Sequence, residues 1–77
     1  MGCRGAVRYA VVIERAEGNY SVYVPDLPGC VATGATVDEA EREIVEAIEF
    51  HIEGLIEDGL SVPEPTSIAE YVETTRP

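Results

Sequence analysis

The stretch YVPDLPGCVATGAT, Tyr23 to Thr36, decides how this chain folds. Pro25 lacks the amide hydrogen that a strand donates to its neighbour, so a strand that arrives at Pro25 ends there. The residues from Asp26 to Gly29 favour a turn. CVATG, residues 30–34, is either a short third strand or an extended segment on the edge of the sheet. Thr36 then favours the start of a helix. We interpret the whole stretch as a rigid corner that joins strands to a helix.

The residues before the corner predict an antiparallel hairpin. VRYAVVIE, residues 7–14, and YSVYV, residues 20–24, both alternate apolar side chains in the manner of half-buried strands. Gly18 and Asn19 between them suit the positive φ angles of a tight turn. One face of the sheet should pack on the rest of the chain. The other face should lie uncovered, with Arg8, Ala10, Val12 and, as a candidate, Tyr23.

The residues after the corner predict one long helix, from about Val37 to Asp58. Thr36 and Glu39 have the spacing of a capping box, and Gly59 suits the position just past the helix end. Apolar residues recur in steps of three and four, which marks one face of an α-helix. This apolar stripe comprises Val37, Ala40, Ile44, Ala47, Ile48, Ile52, Leu55 and Ile56.

The end of the chain is open to two interpretations. Ser67 and Glu70 have capping-box spacing for one helical turn, whereas Tyr71 and Val72 favour a strand. We predict a short final strand around residues 68–74. The predicted architecture is a single α+β domain, residues 1–77, with two layers in the order β-β-β-α-β.

Composition limits the function classes. The 77 residues carry 15 acidic side chains against 5 arginines and no lysine, and the net charge is −10. Phosphate backbones attract cations, so we expect no direct contact with nucleic acid. A basic protein partner fits the charge, although a solubilising role would also explain it. We expect no membrane segment and a cytoplasmic location.

A domain this small has a marginal core, so self-association is the expected source of extra stability. Cys3 and Cys30 should be reduced thiols, and their spacing is not that of a zinc site. We therefore predict no metal and no cofactor. Gly29 and Gly34 lack the spacing of a phosphate-binding loop.

Residues with chemical potential have simpler structural explanations. His51, the only histidine, lies in the apolar stripe and is interpreted as a packed core residue. Asp26 is expected to cap its own turn. The helix face opposite the stripe carries Glu39, Glu46, Glu49, Glu53 and Glu57, which form either a solvated face or a docking strip for basic side chains. Phe50 falls outside the stripe and is either covered by the loop around Pro63 or exposed for association.

Several segments together are similar to the HicB family of antitoxin-type domains. These are YAVVIE, GNYSVYVPDLPGCVATGATVDEA and EAIEFHIEGLIEDGLSVPEP, which extend from Tyr9 to Pro65. The most specific part runs from Val24 to Cys30. The resemblance implies a β-β-β-α-β domain likened to a partial ribonuclease H fold, and a basic HicA-type toxin ribonuclease as partner. It also implies homo-oligomers, as dimers or tetramers.

The resemblance makes an antitoxin-like binding module, not an enzyme, the leading hypothesis. The alternative is a homo-oligomeric domain without a toxin partner, which binds another protein or a small ligand. Many HicB proteins carry a further DNA-binding segment, and the residues after PEP do not match one, so we do not expect operator binding. The candidate partner interface is Tyr23, Pro25, Asp26, Leu27, Pro28, Gly29, Glu46, Glu49, Phe50 and Glu53.

Overall fold

A computed structural model describes residues 7–76. Strands β1 (Val12–Ala16), β2 (Asn19–Tyr23) and β3 (Val31–Gly34) are followed by the helix α1 (Val37–Glu57). The strands form one antiparallel sheet in the order β1-β2-β3, and α1 packs against it through contacts with β2 and β3. This arrangement confirms the predicted α+β class.

The hairpin turn is tight. Ala16 of β1 pairs with Asn19 of β2, which leaves a two-residue loop that ends at Gly18 with φ of 82°. Positive φ favours glycine because an L side chain would crowd the backbone there. Asn19, which was also predicted to suit a positive φ, lies instead within β2.

Strand β1 begins five residues later than the pattern predicted. Val12 pairs with Tyr23, so the same register would place Ala10 opposite Pro25, which has no amide hydrogen to donate. The amide of Val24 donates instead to the carbonyl of Cys30, at 3.2 Å. Residues 7–11 therefore lie outside the ladder, although Tyr9 and Val11 still pack on the core.

The predicted final strand is wrong for the described residues, because residues 60–76 contain neither a strand nor a helix. The side chains that suggested it are exposed, Tyr71 by 104% and Val72 by 80%. Strand propensity depends on packing against a neighbour, and this segment has no ladder partner among the described residues.

The core of the described residues is small. It consists of Val22, Val24, Leu27, Cys30, Ala40 and Ile44. Three of these six come from the corner, at three-residue spacing, and the buried residues of α1, Ala40 and Ile44, both lie in its first half. The second half of the helix therefore extends past the best-packed part of the fold.

Both ends of α1 follow the sequence signals. Thr36 Oγ1 accepts a hydrogen bond from the Glu39 amide at 3.1 Å. Glu39 Oε1 accepts one from the Ala35 amide at 2.9 Å, one residue before the usual capping-box partner. At the other end Gly59 has φ of 72°, as predicted for the residue after the helix cap.

Candidate protein-interaction surface

The corner between β2 and β3 is fixed by its own backbone. The Leu27 amide donates to the Val24 carbonyl at 3.1 Å, and the Cys30 amide donates to the Leu27 carbonyl at 3.0 Å. Gly29 supplies a φ of 84°. Pro25, Pro28 and Gly29 are exposed. A loop closed by these bonds presents its exposed residues in one defined shape, as a recognition surface requires.

Leu27 and Cys30 point inward from this corner. The Leu27 side chain is 0% exposed, so this candidate interface residue acts by packing and offers a partner no surface. Burial raises the pKa of the Cys30 thiol, which therefore stays protonated and weakly reactive.

Asp26 binds a distant segment rather than its own turn, so the predicted local cap is wrong. Its Oδ2 accepts hydrogen bonds from the Thr66 amide at 3.0 Å and the Ser67 amide at 2.9 Å. Its Oδ1 accepts from the Thr66 and Ser67 hydroxyls at 3.1 and 2.9 Å. We call these four bonds the Asp26 clasp. The Ser67 amide, with the Ser67 hydroxyl and the Thr66 donors, holds the pKa of Asp26 below its ordinary value.

Tyr9 provides a second tie to the same segment. Its hydroxyl donates to the Pro63 carbonyl at 2.6 Å. Burial raises the pKa of Tyr9, and the nearby carboxylates of Glu64 and Asp26 raise it further. The chain after α1 is therefore held by Tyr9 at Pro63 and by Asp26 of the corner at residues 66–67.

We expect Asp26→Ala to free residues 66–67 from the corner, while the hydrogen bond from Tyr9 still holds Pro63. The amides of Thr66 and Ser67 should exchange with solvent roughly tenfold faster or more, because the protecting acceptor is gone. Hydrogen exchange followed by NMR measures this directly. Glu64→Ala removes an exposed carboxylate from the same segment and serves as the control; equal protection in wild type and Asp26→Ala would contradict the clasp.

Acid should open the same clasp. The folded-state pKa of Asp26 lies below its ordinary value of 3.8, so the charged form is favoured by folding. Its stabilisation is complete above that ordinary value and disappears as pH falls through the lowered folded pKa. Amide exchange at Ser67 should therefore rise only below about pH 4, the range of an ordinary aspartate.

The outer face of α1 exposes the predicted acidic residues. Glu46, Glu49 and Glu53 are all exposed. Phe50 lies among them with 79% of its surface accessible, so of the two alternatives for Phe50 the structure shows the exposed one.

A groove brings two parts of the predicted interface together. Residues 29–31 of the corner form one wall, and the second half of α1 forms the other, with Phe50, Gly54 and Asp58. His51 also lines this groove and is half-buried, so it borders the groove at the edge of the packed region. Gly29 and Phe50, 21 positions apart, thus share one surface.

Tyr23 belongs to a different surface. In the sheet Tyr23 pairs with Val12 of β1 on one side and with Val31 of β3 on the other, so these three residues form a row across the sheet. The neighbouring row contains Val22, whose side chain is buried on the opposite face. Tyr23 is 40% exposed and Val31 is 64% exposed. The predicted uncovered face therefore carries an apolar row, and the candidate residues divide between this row, the corner and the helix.

Two further properties bear on function. Over residues 7–76, no helix combines the length and apolar character that crossing a bilayer would require. In the same range, no three potential metal ligands are grouped closely enough to hold an ion.

Comparison with known proteins identifies relatives over most of the chain. Residues 9–76 match the family model of the HicB-like antitoxin of bacterial toxin–antitoxin systems. An uncharacterized 14.9 kDa protein from the rep-hol intergenic region of Haemophilus phage HP1 is 44% identical over 64 residues. A UPF0150 protein of Synechocystis is 40% identical over 63 residues, and one of Archaeoglobus fulgidus is 43% identical over 56 residues.

The extent of these matches differs. They cover 83%, 80% and 69% of this chain, in the order given. The chain spans about half (48%) of the phage protein but 80% and 81% of the other two. The family match extends from the residues before β1, through the corner and α1, to the segment held by the Asp26 clasp. The chain therefore belongs to the HicB-like antitoxin family.

Proposed function

We propose that this protein is an antitoxin-like binding module that neutralises a HicA-type toxin ribonuclease by direct protein contact. The observation that carries the proposal is the exposed acidic face of α1 in a chain of the HicB-like antitoxin family. In this proposal the protein is a cytoplasmic binding module and not an enzyme.

Charge gives the proposal its mechanism. A ribonuclease binds the phosphates of RNA through arginine and lysine side chains. Carboxylates at Glu46, Glu49 and Glu53 would pair with those cations and compete with RNA for them. The net charge of −10 would also speed the encounter with a basic protein.

The exposed corner would add a surface of fixed shape to the same contact. Pro25, Pro28 and Gly29 lie on a loop closed by backbone hydrogen bonds, so little entropy is lost when a partner binds it. Gly29 borders the same groove as Phe50, so one partner could touch the corner and the helix together.

A homo-oligomeric domain without a toxin is the second candidate. The observation that favours it is exposed apolar surface away from the acidic helix face: Tyr23 and Val31 in the sheet, and Ile68, Tyr71 and Val72 near the end of the chain. Contiguous apolar surface favours association, and Tyr23 and Val31 are paired neighbours in the sheet. A mass measurement in solution tests this candidate, and a dimer or tetramer is also compatible with toxin binding.

We expect the protein to co-purify with a HicA-type toxin encoded beside it, in a complex that weakens with salt. The affinity should fall roughly tenfold or more between low and high salt, because exposed charges are screened within a few ångströms at about 1 M salt. The triple variant E46Q/E49Q/E53Q should bind more weakly and lose most of this salt dependence.

The control variant is E14Q/E17Q/E73Q, which removes the same charge from exposed positions off the helix. It should bind nearly as well as wild type. If both triple variants weaken the complex equally, only net charge matters and the helix face is not the contact. If no toxin co-purifies, the homo-oligomeric candidate is favoured.

A further inference from the structure

Phe50 occupies an unusual position in the middle of the acidic face of α1. Glu46 and Glu53 lie one turn before and after it, and Glu43 and Glu57 lie two turns away on the same side of the helix. All four glutamates are exposed, as is 79% of the phenylalanine. A helix face that contacts only solvent does not require an exposed aromatic ring. Phe50 is not among the residues that pack on the core, so core packing does not account for it either.

Gly54 is the second unusual feature, one turn after Phe50. Glycine lowers the stability of a helix interior relative to alanine. A Cβ at Gly54 would meet no atom within 4 Å, so close packing does not require glycine there. The missing side chain leaves the groove open beside Phe50.

The groove also has a negative electrostatic environment. The last turn of α1 contains no basic residue, so the negative end of the helix dipole is not neutralised within that turn. Asp58 caps this end and lines the groove with Phe50 and Gly54. The groove has a volume of about 490 Å³, within the range of about 300–1,000 Å³ typical of ligand pockets.

We propose that this groove receives an arginine side chain of the protein partner, a step that rests on the proposed function. The flat guanidinium would stack on the ring of Phe50, and its N–H groups would donate to carboxylates at the groove mouth, such as Asp58. Lysine would fit less well because its compact, strongly hydrated ammonium neither stacks nor forms a fork of donors.

Charge complementarity selects an arginine-bearing partner over a second copy of the chain. A second copy would bring 15 further acidic residues and only 5 arginines against an already acidic surface. Like charges placed together oppose association.

The test is an NMR titration with hexa-arginine peptide, and with hexa-lysine for comparison. The largest amide shifts should appear at Phe50, Gly54 and Asp58, and hexa-arginine should bind roughly two- to fivefold more tightly. Shifts centred elsewhere, equal affinity for the two peptides, or no binding of hexa-arginine would each overturn the groove proposal. Co-purification with a toxin would still test the proposed function separately.

Three variants sharpen the test. Phe50→Ala should weaken hexa-arginine roughly two- to fivefold, because the stacking surface is lost from an exposed position. Gly54→Met should weaken binding by filling the groove, while Gly54→Ala adds only one carbon and should bind nearly as wild type. Thermal unfolding verifies that each variant folds. Unchanged affinity in Phe50→Ala and Gly54→Met overturns the proposal.

A charge-matched pair completes the design. Asp58→Asn removes a carboxylate from the groove, and Glu41→Gln removes one from an exposed position on the opposite side of α1 from Phe50. Only Asp58→Asn should reduce the preference for hexa-arginine over hexa-lysine. Equal effects of the two variants would indicate binding to net charge alone.

Discussion

We expect Leu27→Ala to destabilise the protein by about 2–5 kcal/mol, the usual cost of truncating a buried leucine and leaving a cavity. Leu27 is 0% exposed, and Leu27 and Val22 are the largest fully buried side chains among the described residues. A small domain is stable by only about 0.05–0.15 kcal/mol per residue. For 77 residues the loss is a large fraction of the total, so much of the variant should be unfolded at 37 °C.

Urea unfolding followed by circular dichroism measures the change. Leu60→Ala is the matched control, because the same substitution is made at a leucine that is 57% exposed. The control should change stability by less than about 0.5 kcal/mol. Similar losses in both variants would show that the corner does not anchor the core.

This result would also separate folding from recognition in the corner. Leu27 has no exposed surface to offer a partner, whereas its neighbours Pro25 and Pro28 are exposed. Leu27→Ala should weaken partner binding only in proportion to the unfolded fraction. Substitution of Pro28 tests contact more directly, because its side chain does not fill the core.

The sequence predicts the helix and the hairpin well because their signals are local. The cap at Thr36, the apolar stripe and Gly59 lie within a few residues of what they determine. The role of the corner as a structural joint was also predictable, because the two prolines restrict φ and Gly29 can adopt the positive φ that a turn needs.

Features that depend on distant partners were not predictable. The Asp26 clasp joins residues that are 40 and 41 positions apart, and a carboxylate in a turn normally favours a local cap. The sequence does contain a weak signal, the adjacent hydroxyls of Thr66 and Ser67, but nothing local indicates their acceptor. The late start of β1 could not be predicted without knowing the register that places its predecessors opposite Pro25. The absence of a strand at residues 68–74 could not be predicted either, because those residues do not indicate whether a neighbouring strand lies beside them.

The candidate interface was predicted in part. The helical wheel placed Phe50 outside the apolar stripe, and the structure shows it exposed among glutamates. The sequence could not show that Gly29 would meet the second half of α1 in one groove, nor that Tyr23 would stand in the apolar row of the sheet. These relations depend on how the corner turns the chain.

The second large effect concerns the contact between β3 and α1 at Gly34. A Cβ added at Gly34 would lie 2.5 Å from the backbone nitrogen of Ala40 and 2.9 Å from its Cα. These distances are too short for real atoms, and the obstacle is helix backbone that cannot rotate away. Gly34→Ala should therefore force β3 and α1 apart and cost about 1–3 kcal/mol or more, as overpacking does.

The same substitution at Gly54 provides the control, and the expected change in stability has the opposite sign. A Cβ at Gly54 meets no atom within 4 Å, so Gly54→Ala should stabilise the helix by up to about 1 kcal/mol. Thermal and urea unfolding of the two variants should thus shift in opposite directions. Gly34 packs against Ala40, which follows the capping-box residue Glu39. Gly34→Ala should therefore also expose the amides of the first helical turn to exchange with solvent. If Gly34→Ala were as stable as wild type, the close approach of β3 to α1, which sets the position of the acidic helix face relative to the corner, would be contradicted.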